Sequence, residues 1–106
     1  MEKEKETKTL IGQATEKQIA EWKEQHGEIY STIAEGHVAY FRTPNRKEVS
    51  YAMGLQNDPM KMTEFLLKEC RIGGSDVFEK EVSFMLGAAP LLEKLITVKQ
   101  TEIAKL

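Results

Sequence analysis

The conventional nucleophiles, bases and soft metal ligands in this chain are two histidines and one cysteine, His26, His37 and Cys70. Nucleophilic and metal chemistry need a second group at a defined spacing, such as a Cys-x-x-Cys pair or two histidines four apart on a helix. Neither spacing occurs. His26 falls at the end of an expected helix, where a cationic side chain suits the dipole, and His37 opens an expected strand. Cys70 reads as a small buried hydrophobe. The expectation is a non-enzymatic protein, with no catalytic residue, no metal ligand and no cofactor.

Two other constellations carry some chemistry. Gly73-Gly74-Ser75-Asp76 precedes a helical region and could offer backbone amides to an anion, but it lacks the spaced glycines and the lysine of a phosphate loop. A helix break is its plainer meaning. Arg42, Arg46 and Lys47 adjoin Tyr40 and Phe41, the mixture of cations and aromatics that nucleic-acid sites use. On a strand Tyr40 and Phe41 point to opposite faces, so at least one of them belongs to the core. A small nucleic-acid-binding regulator using the Arg42/Arg46/Lys47 patch is the alternative reading of function. The charge balance weighs against it, because 15 Lys and Arg against 17 Asp and Glu leave a net charge of −2 and no cationic surplus.

The elements that must position these groups are written mostly in helix signals. Thr15-Glu16-Lys17-Gln18 has the form of a capping box, so a helix is expected from about Glu16 to His26, with Ile19 and Trp22 on one face and Gly27 as its stop. Ile29 to Ala34 and His37 to Arg42 are β-branched and aromatic runs around Glu35-Gly36, a hairpin from about Glu28 to Arg42. Thr43-Pro44 should cap and open a second helix ending at Gly54, with Val49, Ala52 and Met53 inward. Asp58-Pro59 repeats that device for a third helix reaching Arg71, its inner face carrying Met62, Phe65, Leu66 and Cys70. Gly73-Gly74 then breaks the chain, and Ser75 or Asp76 caps a last helical region with Val82, Met85, Leu86 and Ala89 on one face and a kink between Gly87 and Pro90.

A lone hairpin cannot bury its apolar face in water. The expected fold class is therefore α+β, with an N-terminal helix and a two-stranded antiparallel hairpin packed on three or four C-terminal helices. Residues 1–10 alternate acidic and basic side chains and read as a disordered charged leader, which leaves 11–106 as a single α+β domain. The expected core is Trp22, Ile29, Ile33, Val38, Tyr40 or Phe41, Val49, Met53, Phe65, Leu66, Val82, Leu86, Leu92 and Leu95. A single cysteine allows no intramolecular disulfide. No apolar run has the length of a signal peptide or of the roughly 20 residues of a membrane span, so a cytoplasmic protein with no membrane partner is expected.

The apolar stripe at the C-terminus outgrows a purely structural meaning. Leu91, Leu95, Ile96, Ile103 and Leu106 could complete the core, or could run past it and meet a partner helix or a second copy of the chain. Met53, Met60, Met62 and Met85 add adaptable apolar surface. Those five stripe residues are the expected partner-binding set.

Three segments, HVAYFRTPNRKEVSYAM (His37 to Met53), FLLKECRIGG (Phe65 to Gly74) and FMLGAAPLLEKLI (Phe84 to Ile96), together resemble the small tail assembly chaperones of long-tailed bacteriophages and prophages. The shared pattern is a hairpin running into an Arg-x-Pro segment, a helix, a further helix ending near a cysteine and glycines, and a long apolar C-terminal helix. The resemblance implies a protein of the bacterial host cytoplasm that binds the aggregation-prone tape measure protein and recruits tail-tube subunits around it without entering the virion. No catalytic motif belongs to that pattern.

Overall fold

The capping box at Thr15 forms in full. The Gln18 N–H donates to Thr15 Oγ1 at 3.1 Å and the Thr15 N–H donates to Gln18 Oε1 at 2.9 Å, and they open α1 (Glu16–His26) at the expected residue. The helix closes at Gly27, whose N–H donates to the Lys23 carbonyl at 2.9 Å. In this computed structural model residues 10–96 and 98–106 are described. The leader expected over residues 1–10 therefore lies outside the described residues except for Leu10, whose N–H donates to Gln13 Oε1 at 3.0 Å.

The hairpin is β1 (Ile29–Ala34) and β2 (His37–Arg42), antiparallel with Ala34 opposite His37. Its turn needs positive φ at both central positions, +48° at Glu35 and +80° at Gly36, the geometry that matches the strand twist. A third strand, β3 (Arg71–Gly74), pairs antiparallel with β2 and gives the order β1-β2-β3. The sheet is thus three-stranded, and Gly73-Gly74 is strand where a chain break was expected. The reason is close approach. A Cβ on Gly73 would lie 2.5 Å from the Trp22 indole, and one on Gly74 would lie 2.5 Å from the Val38 carbonyl oxygen, with φ at +92° besides. Ile11 continues the line of β3 along β2, its N–H donating to the Gly36 carbonyl at 2.8 Å and its carbonyl accepting from Val38 N–H at 3.0 Å.

Both faces of the sheet are covered. On one, Trp22 of α1 packs against Tyr40 with ring centroids 5.3 Å apart, and the Tyr40 hydroxyl accepts from Ala14 N–H at 3.2 Å. On the other, Ala39 and Phe41 join the main core of Ala52, Leu66, Leu67, Cys70, Phe78, Met85, Ala88 and Leu95. Tyr40 and Phe41 are therefore both buried, one on each face.

The helices over the second face are α2 (Arg46–Met53), α3 (Pro59–Cys70), α4 (Val77–Lys80), α5 (Val82–Gly87) and α6 (Leu92–Leu95), with a 3₁₀ turn at Ala89–Leu91. The N-cap of α2 is Asn45 and not Thr43. Its Oδ1 accepts from Glu48 N–H at 2.8 Å while Glu48 Oε1 accepts from Asn45 N–H at 2.9 Å, a reciprocal pair that Thr43 has no equivalent for. Asp58 and Pro59 open α3 as expected. Past β3, Ser75 Oγ accepts from Val77 N–H at 3.3 Å, and the helical region breaks into pieces at Glu81 and again between Gly87 and Pro90.

Four expected core residues, Ile33, Met53, Val82 and Leu86, are exposed. Ile33 is exposed on the edge strand β1, and α5 turns Met85 inward, followed by Ala88 just past its end, in place of Val82 and Leu86. Phe78, 1% exposed, and Leu67 supply core that the expectation omitted. The expected long C-terminal helix stops at Leu95, and residues 98–106 have no regular secondary structure.

Candidate functional site

Among the described residues, His37 is the one of the three reactive side chains with a hydrogen-bond partner. Its Nδ1 lies 2.9 Å from Ser75 Oγ, and its ring meets the edge of Phe84 at a centroid distance of 5.4 Å. A serine–histidine pair can activate a nucleophile, but it needs a third group to orient the imidazole. Among the described residues no carboxylate bonds to His37, and Ser75 Oγ is already held by the Val77 N–H. The pair joins the start of β2 to the start of α4. His26 is the last residue of α1, half-buried. Cys70 is fully buried, and burial pushes its thiol up to about 11, far from the thiolate that reacts or binds metal. Among the described residues no three His, Cys, Asp or Glu side chains are grouped to hold a metal ion.

The basic patch is divided. Arg42 donates to both carboxylate oxygens of Glu48 at 2.8 Å, and also to the carbonyls of Thr43 at 3.1 Å and Glu69 at 3.0 Å, so it pins the end of β2 to α2 and α3. The bond from Arg42 draws the Glu48 carboxyl below its ordinary range, and the same pairing raises Arg42. A guanidinium engaged in this way has no free fork for a phosphate. Arg46 and Lys47 remain exposed on α2 beside it. The Gly73-Gly74 anion cradle does not form either, because both glycines are strand and α4 is a single turn.

The expected partner-binding set is also divided. Leu95 is 3% exposed in the main core, and Leu91 and Ile96 pack against it. Ile103, at 95%, and Leu106 are exposed, together with Val98. Further exposed apolar side chains lie on β1 and α5, at Ile33, Val82 and Leu86, and Met53 and Met60 are exposed while Met85 is buried. Sequence spacing had placed Ile33, Val82 and Leu86 inside; the only signal that separates them from core is the end of the helix or strand that would cover them, which periodicity does not carry. Three open depressions of similar size lie on the surface. One of about 380 Å³ lies where the end of α1 meets the start of β1, between Lys23, Gly27, Glu28, Ile29 and Tyr30, and one of similar size lies between α2 and α3 beside Tyr51 and Phe65.

No family model, no curated protein and no solved structure matches this chain. Its site must be read from its own geometry, which supplies exposed apolar surface and no assembled reactive centre among the described residues. No described helix is long and apolar enough to cross a membrane.

Proposed function

We propose that the chain is a non-enzymatic protein-binding module, a tail assembly chaperone of a long-tailed phage or prophage, which binds the tape measure protein in the cytoplasm of the host. The observation that supports this reading is the segment 98–106. Its apolar residues continue the helical spacing of Leu92, Leu95 and Ile96 through Ile103 and Leu106, yet it has no regular secondary structure, and Val98, Ile103 and Leu106 are exposed. A helical pattern left unpacked suits a segment whose covering surface belongs to another molecule, so that folding and binding occur together. A long helical client such as a tape measure protein offers apolar stripes of the matching kind. The contact surface on this reading is Ile103, Leu106 and Val98, whereas Leu91, Leu95 and Ile96 anchor the segment to the body.

The test is co-purification with the neighbouring tape measure protein. Ile103→Asp and Leu106→Asp should abolish it while circular dichroism and melting temperature stay unchanged, since both side chains are exposed. Ile96→Asp is a poor probe, because Ile96 packs on the core and its loss would unfold the helix end. Undiminished capture by a folded Ile103→Asp/Leu106→Asp double variant would overturn the reading.

A further inference from the structure

β1 is an edge strand of the sheet, paired only with β2 among the described residues. Val38 donates its N–H to Ile11 and accepts at its carbonyl from Ser75 N–H at 2.8 Å, so the backbone of Val38 faces away from β1. Backbone groups alternate sides along a strand. His37, Ala39 and Phe41 therefore face β1, and bond with their opposites Ala34, Thr32 and Tyr30. The N–H and C=O groups of Ile29, Ser31 and Ile33 must then point outward, and among the described residues no hydrogen bond reaches them. Nothing blunts this edge in the usual ways. The strand IYSTIA has no proline, no charge and no bulge against β2, and its Ile33 side chain is 60% exposed.

We infer that this edge is a homodimer interface, with β1 of one copy pairing antiparallel to β1 of a second copy about a two-fold axis at Ser31, which makes one six-stranded sheet. The register follows from the chain itself. A two-fold axis perpendicular to the sheet must pair outward-facing residues with outward-facing residues and keep each side chain on its own face. Placing Ser31 opposite Ser31 of the second copy satisfies this for the whole strand, because Ile29 then meets Ile33 at both ends and every outward donor and acceptor from Ile29 to Ile33 is used. Displacing the axis along the strand in either direction leaves an end residue without a strand partner.

The apolar side chains agree with that register. Ile33 of one copy falls opposite Ile29, which lines the depression of about 380 Å³ together with Lys23, Gly27, Glu28 and Tyr30. An exposed apolar side chain thus meets a half-open apolar hollow, twice by symmetry. Glu35 of the same copy falls opposite Gly27, where Lys23 borders the hollow with an opposite charge and Glu28 with a like one. The interface uses no residue of the C-terminal segment, and dimerisation and client binding are separable.

The experiment is light scattering over a dilution series of the full chain, with a cross-linking arm. The wild type should have twice the 12.1 kDa chain mass at high concentration and dissociate on dilution. Ser31→Pro removes an N–H that β2 does not use, so it should give monomer with the circular dichroism of the wild type. Ile33→Lys should do the same by placing a charge in the hollow, and serves if the proline variant fails to fold. In the hydrogen-bonded pair at the axis the two Ser31 Cα atoms lie about 5.5 Å apart, within the roughly 4.4–6.8 Å a disulfide spans. Ser31→Cys should therefore form a covalent dimer on oxidation, whereas Thr32→Cys, which meets Tyr30 of the second copy, should not. A wild type that is monomeric at every concentration overturns the inference. So does a dimer that survives both Ser31→Pro and Ile33→Lys.

Discussion

The half of the molecule around the sheet and the stretch after β3 are held in place by different means. From Thr15 to Cys70 the elements carry their own local signals: reciprocal caps on α1 and α2, a cap and proline on α3, and a two-residue turn between β1 and β2. From Val77 to Leu95 the helices are four to six residues long, and none has a side-chain cap bond from its own N-cap residue. A helix of one turn has no stability of its own in water. These pieces exist because Phe78, Met85, Ala88 and Leu95 are inserted in a core whose other walls are Phe41, Leu66 and Leu67. Local signals make the first region's elements nearly independent of context, while in the second the context makes the elements.

That contrast can be broken or sharpened in order of expected effect. Phe78→Ala should be the most damaging, at about 3–5 kcal/mol in urea unfolding, because a fully buried ring of α4 is also packed edge-on to Phe84 at 5.4 Å. A cost no larger than that of losing a helix cap, about 1 kcal/mol, would show that α4 holds itself. Gly74→Ala should cost about 3 kcal/mol, since the new Cβ meets backbone of β2 and the residue must keep a positive φ. Melting temperature reads this, and a neutral outcome would mean that β3 is not a fixed part of the sheet.

A smaller and pH-dependent effect belongs to the Arg42–Glu48 pair, whose side chains are both largely shielded from water. The Glu48 carboxyl is held below its ordinary 4.5 by the Arg42 bond. A carboxyl lowered on folding contributes stability above its unfolded value and loses that contribution as the pH falls through the folded one. Glu48→Gln keeps the cap on Asn45 but exchanges an ionic bond for a neutral one, a loss of about 1 kcal/mol at neutral pH. The gap between variant and wild type should close as the pH drops below 4.5, and a gap independent of pH would remove the ion pair from the account.

How far function could be read follows the same division. Cys70 was legible as a buried hydrophobe from its place on the inner face of α3, and the structure adds the raised thiol. The basic patch looked continuous in the sequence because Arg42, Arg46 and Lys47 are neighbours, and nothing in that spacing reveals that Glu48 and the Glu69 carbonyl occupy Arg42. The stripe from Leu91 to Leu106 looked uniform, yet only its first part has a core to join.

By itself the sequence determined what depends on neighbours within about four residues: the ends of α1 and the start of α3, the tight turn at Glu35-Gly36, and the α+β class that follows from a hairpin among helices. Those features rest on hydrogen bonds and φ preferences that close within one turn of chain. The tertiary structure alone decided that Gly73-Gly74 is a strand, that Phe78 is core and Ile33 surface, and that the helical pattern over residues 98–106 is not a helix. Each of these depends on which distant surface arrives to cover a side chain or to pair a backbone edge, and hydrophobic burial has no sequence range.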